Sequence, residues 1–292
     1  MANLSPLRYP GGKYKTYNYI KELIKSNNCT SYIEPFAGGA AVALALLINK
    51  QVKRIIINDY DKSIYSFWYS VIHHTDELIS KIKDCNITIE EWYKQKELQA
   101  NKDAVSILEL GFSTLFLNRS NRSGIIKGGV MGGKNQDGPN KLDCRFNKEK
   151  IIKKITLIAE QKNNIQLYNM DALEFIDKVI KTTRKSFTFF DPPYFKQGPA
   201  LYTNFYNENN HVELANKIQK ELKNRKWIVT YDHIDEIKKM YSKLRYIEYY
   251  LNYSAQNKTK GIEYMFYSNK TAIGEPDYHL NTFYPLFDLA GS

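Results

Sequence analysis

Short apolar segments that alternate with helical patterns constrain the fold of this chain more than any other feature. The segment "KRIIIND" is apolar without a break and ends at Asp59, which is typical of a strand covered on both faces. "SYIE", "NIQLY", "SFTFFD" and "KWIVTY" have similar strand patterns, and a helical pattern follows each of them. This alternation predicts an α/β fold with a mostly parallel sheet and helices on both faces.

The middle of the chain, residues 63–162, has a different pattern. Helical stretches such as "SIYSFWYSVI" and "AVSILELGFSTLFL" precede a basic, Gly-rich segment, and no clear strand is visible. We therefore predict a mainly helical domain at 63–162, inserted into an α/β domain built from residues 1–62 and 163–292. The α/β domain is predicted to end in an antiparallel hairpin, "YIEYYLNYSAQNKTKGIEYMFYS", whose strands are joined by a Lys-rich loop.

The positive charge of the chain is concentrated in one segment. The formal net charge is +11, and residues 119–154 contribute +7 of it, from ten Lys and Arg against three Asp and Glu. Six of the fifteen glycines lie in the same region, in "NRSNRSGIIKGGVMGGKNQDGPNK". A long basic and Gly-rich loop is usually functional, and the charge favours a polyanionic partner, nucleic acid above all. The alternative is a flexible surface insertion.

Several classes of protein are disfavoured by the sequence. The longest apolar run, "AAVALALLI", has about half the length that spans a bilayer. The N-terminal residues contain no apolar signal core, so we expect a protein that is not secreted. The three cysteines are far apart and odd in number, and neither they nor the histidines have metal-ligand spacing. We therefore expect a cytoplasmic protein with reduced thiols and no metal cofactor.

Four candidate ligand-binding groups follow the predicted strands. They are the glycine turn "EPFAGGA" at residues 34–40, Asp59 in "NDYD", Asp171 in "NMDALEF" and Asp191 in "DPPY". Ligands of open α/β sheets bind beyond the carboxyl ends of the strands, where these groups are expected to meet. Each has a purely structural alternative: helix–strand packing for the glycines, helix N-caps for Asp59 and Asp171, and a Pro-rich turn for Asp191.

The ligand predicted from these groups contains adenosine but no pyrophosphate. The glycine turn allows a ligand to approach closely, Asp59 can accept both ribose hydroxyls, and Asp171 can accept the exocyclic amine of an adenine. The chain has no Gly-Lys-Ser/Thr phosphate loop, and the turn does not match the G-x-G-x-x-G pattern of dehydrogenases. S-Adenosylmethionine fits these constraints, so we predict it as the cofactor, with S-adenosylhomocysteine as the product.

Six motifs of this chain occur in the order found in one enzyme family: "RYPGGK" (8–13), "EPFAGGAAV" (34–42), "NDYD" (58–61), "FLNRSNRSG" (116–124), "DPPY" (191–194) and "EYMFYS" (263–268). With them the chain resembles the Dam-type, alpha-group DNA adenine-N6 methyltransferases over nearly its whole length. The resemblance implies a Rossmann-like class I methyltransferase fold, with residues 63–162 as a target-recognition domain. It also implies transfer of a methyl group from S-adenosylmethionine to N6 of an adenine flipped out of duplex DNA.

The resemblance also assigns residues to the cofactor site. They would be Tyr9, Gly11, Gly12, Lys13, Glu34, Pro35, Phe36, Gly38, Asp59, Tyr60, Asp171, Ala172 and Asp191. The chain departs from the family at one position of the glycine turn, where Ala40 stands in place of a frequent glycine. This difference bears on the local geometry of the turn rather than on activity.

The motif "DPPY" would supply the chemistry of methyl transfer. The N6 amine of adenine is a poor nucleophile, because its lone pair is delocalised into the ring. We expect Asp191 and the carbonyl of Pro192 to accept the two N6 protons, and Pro193 to help hold that carbonyl rigidly. Tyr194 is expected to stack on the base. Candidates for the opposite wall, with core packing as the alternative, are Tyr202, Phe205 and Tyr206.

The residues predicted to contact DNA lie in the basic segment and in the hairpin loop. Arginine and asparagine pair with guanine and adenine in the major groove, whereas lysine more often contacts phosphate. The candidates are Arg119, Asn121, Arg122, Ser123, Lys127, Lys258 and Lys260. The sequence around the target adenine is not predicted.

The predicted partner is double-stranded DNA, bound by a monomer or weak dimer of bacterial or phage origin. A cognate restriction endonuclease that acts independently is compatible with this function. Three alternatives stay open: methylation of cytosine N4, methylation of adenine in RNA, and a catalytically silent DNA-binding module. The aspartate before "PPY" favours adenine by resemblance to the family, and the intact motifs disfavour the silent module.

Overall fold

The computed structural model describes residues 3–9, 11–195, 206–252 and 260–287. Its strands form one eight-stranded sheet. The strands are β1 (Ser31–Glu34), β2 (Arg54–Asn58), β3 (Ile165–Tyr168), β4 (Ser186–Phe190), β5 (Lys226–Asp232), β6 (Arg245–Asn252), β7 (Lys260–Tyr267) and β8 (Thr282–Phe287). Their order in the sheet is β3-β2-β1-β4-β5-β7-β6-β8. The strands from β3 to β5 in this order are parallel, and β7, β6 and β8 pair in antiparallel fashion. The prediction of a mostly parallel sheet is confirmed.

Helices cover both faces of the sheet, as predicted. Those in the described ranges are α1 (Tyr17–Ser26), α2 (Ala41–Ile48), α3 (Lys62–His73), α4 (Thr75–Asp84), α5 (Ile89–Ala100), α6 (Ile107–Ser120), α7 (Lys148–Ala159), α8 (Ala172–Phe175), α9 (Glu208–Glu221) and α10 (Asp235–Met240). Helices α1 to α7 contribute to one hydrophobic core, and α8 to α10 contribute to a second. Successive residues of β1 enter different cores, Tyr32 the first and Ile33 the second. Because its strands are buried on both faces, the parallel part of the sheet requires continuous apolar sequence.

The helical block between β2 and β3 is built onto one face of the sheet. It begins at α3, where the Asp61 side chain accepts a hydrogen bond of 2.8 Å from the backbone N–H of Ser63 and caps the helix. Trp68 and Phe116 of this block lie in the same hydrophobic core as Tyr32 of the sheet. The block therefore stabilises the sheet directly, and its boundaries as a separate domain stay a prediction.

The C-terminal hairpin is also confirmed. Strands β6 and β7 pair in antiparallel register, with Tyr249 opposite Glu263. Strand β8, which was not predicted, adds to β6 with irregularities in its register. In the described parts of the chain, none of the helices is both long and apolar enough to cross a membrane.

Candidate active site

A cleft opens beyond the carboxyl ends of β1, β2 and β4, where the predicted site residues meet. Its empty space is about 1020 Å³, with open solvent at its mouth included. The predicted cofactor residues that line it are Tyr9, Gly12, Lys13, Glu34, Phe36, Asp59, Tyr60 and Asp191. Gly11, Pro35 and Gly38 are sequence neighbours of lining residues, and Asp171 and Ala172 follow the adjacent strand β3.

The glycine turn lies against Tyr9. Gly38 has φ +44°, and a Cβ at this position would lie 2.6 Å from the Tyr9 ring. Only glycine avoids both the contact and the backbone strain. Ala40, at the N-cap of α2, also has a left-handed backbone with φ 46°. The alanine that replaces the frequent glycine of the family thus keeps the turn in its left-handed form, with some strain.

Glu34 joins the end of β1 to the start of α2. Its Oε1 accepts hydrogen bonds from the hydroxyl of Tyr32 at 3.0 Å and from the backbone N–H of Ala43 at 3.2 Å. Burial and the charge of Asp191 together raise the pKa of Glu34 from 4.5 to about 8, against the lowering effect of the two hydrogen bonds. The cleft therefore contains a carboxyl group that takes up a proton near neutral pH.

Asp59 is held by the backbone on both oxygens. Oδ2 accepts from the N–H of Gly38 at 2.8 Å, and Oδ1 accepts from the N–H of Asp61 at 2.9 Å. Burial and the neighbouring charge of Asp61 raise the pKa of Asp59 to about 7, against the lowering effect of the two backbone hydrogen bonds. Each oxygen keeps a second acceptor position, so the predicted contact with ribose hydroxyls is compatible with this geometry. The helix cap considered as the alternative for Asp59 is provided by Asp61.

Asp171 follows β3 and caps the short helix α8. Its Oδ1 accepts a hydrogen bond of 2.8 Å from the N–H of Leu173, so the capping alternative is present in the structure. The charge of Asp171 reaches Tyr206, which lines the cleft. Burial raises the pKa of the Tyr206 hydroxyl, and the nearby charges of Asp171 and Asp59 raise it further. The contact of Asp171 with adenine stays a prediction.

Asp191 is anchored through one of its two oxygens. Oδ1 contacts Lys13 Nζ at 2.9 Å and accepts a hydrogen bond of 2.8 Å from the hydroxyl of Thr230. From the residues that the structure describes, Oδ2 receives no hydrogen bond. Burial raises the pKa of Asp191, Lys13 opposes this effect, and Glu263 adds to it. The carboxylate is thus fixed in direction and retains an acceptor oxygen at the cleft.

Three residues behind Asp191 were not assigned to the site from the sequence: Glu263, Tyr249 and Thr230. Glu263 is fully buried, and its Oε1 lies 3.2 Å from Lys13 Nζ. The hydroxyl of Tyr194 donates to Oε1 at 2.5 Å, and that of Tyr249 donates to Oε2 at 2.7 Å. Thr230 completes the group. The available signal for Glu263 was an acid inside the apolar strand "GIEYMFY", a position where a carboxylate requires partners.

Asn58 was also missed, and it joins three strand ends. Its Nδ2 donates to the carbonyls of Pro35 and Met170, both at 3.0 Å. Its Oδ1 accepts from the N–H of Met170 at 2.9 Å. Asn58 therefore holds the loops after β1, β2 and β3 together at the cleft.

The aromatic residues around the cleft differ in exposure. Tyr194 is only 4% exposed, and its ring does not line the cleft, whereas Pro193 does. The predicted stacking of a base on Tyr194 thus requires a rearrangement of this side chain. Tyr206 lines the cleft and packs edge-on against Phe36, with ring centres 5.7 Å apart. Tyr202 and Phe205 lie outside the described residues.

Two of the predicted DNA-contacting residues lie inside the protein. Asn121 is fully buried: its Oδ1 accepts from Trp92 Nε1 at 2.7 Å, and its Nδ2 donates to the carbonyls of Ile125 and Ile126 at 2.9 Å. These contacts disfavour a direct base contact and identify Asn121 as a support of the basic loop. Arg119 is half-buried and donates to the carbonyl of Pro6. Burial lowers the pKa of Arg119 to about 10.

The other candidates of the basic loop face solvent. Arg122, Ser123 and Lys127 are exposed, and Ser123 has a left-handed backbone with φ 56°. Lys258 lies outside the described residues, and Lys260 is described only as the first residue of β7. The loop around Asn121 therefore offers Arg122, Ser123 and Lys127 to a partner.

The sheet order, the helices on both faces and the cleft at the strand ends define a class I methyltransferase fold. Residues 9–258 match the family described as D12 class N6 adenine-specific DNA methyltransferase. The chain belongs to this family, and it is an adenine-specific DNA methyltransferase. The resemblance stated from the six sequence motifs is confirmed.

Two curated relatives agree with this assignment. The type II methyltransferase M.MjaIII of Methanocaldococcus jannaschii is 26% identical over 228 residues, which cover 72% of this chain and 77% of that protein. The type II methyltransferase M.CviBI of Paramecium bursaria Chlorella virus NC1A is 22% identical over 253 residues, or 85% and 90% of the two chains. A solved rRNA methyltransferase, aviRa of Streptomyces viridochromogenes, covers 90% of this chain and 87% of its own at 8% identity. Its TM-score of 0.36 is too low to bear on fold or function.

Proposed function

We propose that this enzyme transfers the methyl group of S-adenosylmethionine to N6 of an adenine that is flipped out of duplex DNA. The observation that carries the proposal is the way in which the two carboxylate oxygens of Asp191 are held. One oxygen is fixed by Lys13 and Thr230, and the other remains an acceptor at the cleft. A fixed acceptor beside the cleft is what attack by a weakly nucleophilic amine requires.

The residues that line the cleft fit an adenosine-containing methyl donor. Asp59 and Glu34 offer carboxyl oxygens to hydroxyl and amino groups, and the rings of Phe36 and Tyr206 offer apolar faces to a purine. Gly38 leaves the space that a Cβ would fill. When bound, S-adenosylmethionine would supply an electrophilic methyl group on a sulfonium, and the carboxylates of the cleft would favour that positive charge.

The chain's own groups would act on the target amine. Oδ2 of Asp191 would accept a hydrogen bond from one N6–H and the carbonyl of Pro192 would accept one from the other, which directs the nitrogen lone pair towards the methyl group. The donor would supply the methyl carbon for the new N6–C bond and keep the electron pair of the C–S bond, and the one surplus N6 proton would pass to Asp191. The two prolines limit motion of the acceptors, so little reorganisation is needed as charge develops.

The exposed basic loop would hold the DNA. Arg122 and Lys127 are free of acidic partners among the described residues and face solvent. The target atom lies inside the duplex stack, so the base must leave the helix to reach Asp191. The two relatives are named type II methyltransferases, which is compatible with protection of DNA against an endonuclease that acts independently.

The test is a transfer assay with methyl-labelled S-adenosylmethionine on unmethylated duplex and single-stranded DNA, followed by nucleoside chromatography. We expect label in N6-methyladenosine from the duplex, and a loss of at least about 100-fold in Asp191→Asn. Asp177→Asn, at an exposed acid away from the cleft, is the matched control and should keep full activity. Label only in single strands would refute base flipping from a duplex. Full activity of Asp191→Asn would refute the role of the acceptor.

A further inference from the structure

Glu263 is a buried carboxylate that contacts the catalytic motif without lining the cleft. It lies on β7, opposite Asp232 of β5 and Tyr249 of β6, and its exposure is 0%. A carboxylate in such a position is costly unless cations and hydrogen-bond donors surround it. Here the donors are Lys13, Tyr194 and Tyr249. Two of these three belong to the motifs "RYPGGK" and "DPPY" that form the site.

Lys13 connects Glu263 to Asp191. Its Nζ lies 2.9 Å from Asp191 Oδ1 and 3.2 Å from Glu263 Oε1, and the Lys13 side chain is buried. A single ammonium group is thus shared between two carboxylates, one at the cleft and one behind it. The position of Lys13, and therefore the direction of Asp191, depends on both acids.

We propose that Glu263 is a positioning residue for methyl transfer, which acts through Lys13 to hold Asp191 with Oδ2 available to the target amine. This inference rests on the proposed function of Asp191. Glu263 also fixes the hydroxyl of Tyr194, and so it sets the position from which this tyrosine moves when a base enters. Glu263 itself touches neither substrate nor cofactor, since it lies behind Lys13 and does not line the cleft.

The charge of Glu263 has a second effect on Asp191. A carboxylate that shares its ammonium partner with another carboxylate is a stronger proton acceptor than one that keeps the ammonium to itself. Glu263 raises the pKa of Asp191, in the same direction as burial and against Lys13. The other titratable groups whose charges couple to Asp191 are Glu34, Tyr32, Tyr231 and Tyr249. Loss of the Glu263 charge therefore moves the titration of Asp191 to lower pH.

The experiment compares the pH dependence of kcat in the wild type and in Glu263→Gln. The substitution keeps the shape of the side chain and removes its charge. We expect kcat to fall about 10-fold or more at pH 8, and the acidic limb to move down by roughly half a pH unit or more. The KM for S-adenosylmethionine should stay within about twofold, because Glu263 does not line the cleft.

Glu248→Gln is the matched control. Glu248 is also a buried acid of the same sheet, but it neighbours Tyr249 in sequence, faces the opposite side and pairs with His233 at 3.3 Å. We expect this variant to keep the wild-type pH profile. The proposal would be overturned if kcat of Glu263→Gln were reduced by the same factor at all pH values, or were not reduced at all. The same shift in Glu248→Gln would overturn it too.

A second variant covers the case in which Glu263→Gln does not fold. Tyr249→Phe removes one hydrogen bond from Oε2 of Glu263 and leaves every charge in place. We expect kcat to fall only two- to fivefold with KM unchanged, because Glu263 keeps its charge and its contacts with Lys13 and Tyr194. Wild-type kcat in this variant would then contradict the proposal. Failure of the proposed function itself would be visible separately, because Asp191→Asn would then keep the activity of the wild type.

Discussion

The hydroxyl of Thr230 on β5 donates a hydrogen bond of 2.8 Å to Oδ1 of Asp191, the residue that follows β4. The two strands are parallel neighbours, with Phe190 opposite Val229, so their register brings Thr230 beside Asp191. The sheet itself therefore orients the carboxylate of the "DPPY" motif. This bond leads to the first prediction.

Replacing Thr230 by valine keeps the shape of the side chain but removes the donor to Asp191. We expect kcat to fall about 10-fold, because the carboxylate is held by Lys13 alone, with little change in the KM for the methyl donor. Steady-state kinetics at several donor concentrations measure both. Thr183→Val is the control, since Thr183 is also buried and its hydroxyl donates to the carbonyl of Val179, before the start of β4 and away from Asp191. Equal losses in both variants would contradict the role of Thr230.

Gly38→Ala should weaken cofactor binding. The added Cβ would lie 2.6 Å from the ring of Tyr9, so this ring must leave its position in the cleft. We expect the Kd for S-adenosylmethionine to rise roughly 10-fold and the free energy of unfolding to fall by about 1–2 kcal/mol. Calorimetric titration and denaturant unfolding give the two quantities.

Gly274→Ala is the control for Gly38→Ala. Gly274 also has a positive φ, +67°, but an added Cβ would meet nothing within 4 Å. The backbone strain is similar, whereas the contact with Tyr9 is missing. We expect Gly274→Ala to lose stability without a change in cofactor affinity. A weaker affinity in this variant would mean that strain, not the contact with Tyr9, is the cause.

Glu34 should make the stability of the protein depend on pH. Its pKa rises from 4.5 to about 8 on folding, so the folded state binds more protons than the unfolded state between these values. The contribution of Glu34 to the free energy of unfolding is therefore largest below pH 4.5 and decreases as the pH rises to about 8. Glu34→Gln keeps the two hydrogen bonds to Oε1 and removes the titration.

Between pH 4.5 and 8, we expect the free energy of unfolding to fall by roughly 2–4 kcal/mol less in Glu34→Gln than in the wild type. Urea unfolding at a series of pH values measures the difference. Glu22→Gln, on the exposed face of α1, serves as the control and should follow the wild type. Parallel curves for Glu34→Gln and the wild type would contradict the prediction.

Arg122 and Asn121 should affect different properties. Arg122 is exposed in the basic loop, so Arg122→Ala is expected to weaken DNA binding and to reduce its salt dependence by about one counterion. Asn121→Ala removes two hydrogen bonds to loop carbonyls and one from Trp92 of α5, so the free energy of unfolding should fall by about 2–3 kcal/mol. Binding titrations at several salt concentrations, together with unfolding curves, separate the two effects. An Arg122→Ala variant with an unchanged salt slope would refute a phosphate contact.

The central strands were predictable, because β2 and β4 are almost entirely buried and therefore almost continuously apolar. "RIIIN" of β2 and "SFTFF" of β4 could be recognised for this reason, and the acid that follows each marked an edge of the cleft. Strand β8 was not recognised, since its pairing with β6 is irregular and its pattern less distinct. Arg122 and Lys127 are exposed and their contact with DNA stays a prediction, whereas Asn121 lies buried in the loop.

The sequence by itself determined the residue types at the strand ends: the glycine turn, Asp59, Asp171 and Asp191. These are local properties, because strand ends and turns can be recognised from a few consecutive residues. Only the tertiary structure decided which partners hold Asp191. Lys13, Thr230 and Glu263 come from parts of the chain that are far apart in sequence, and strand order and register bring them within hydrogen-bond distance. A buried charge is stabilised by such distant groups, so its environment cannot be derived from the residues beside it in the chain.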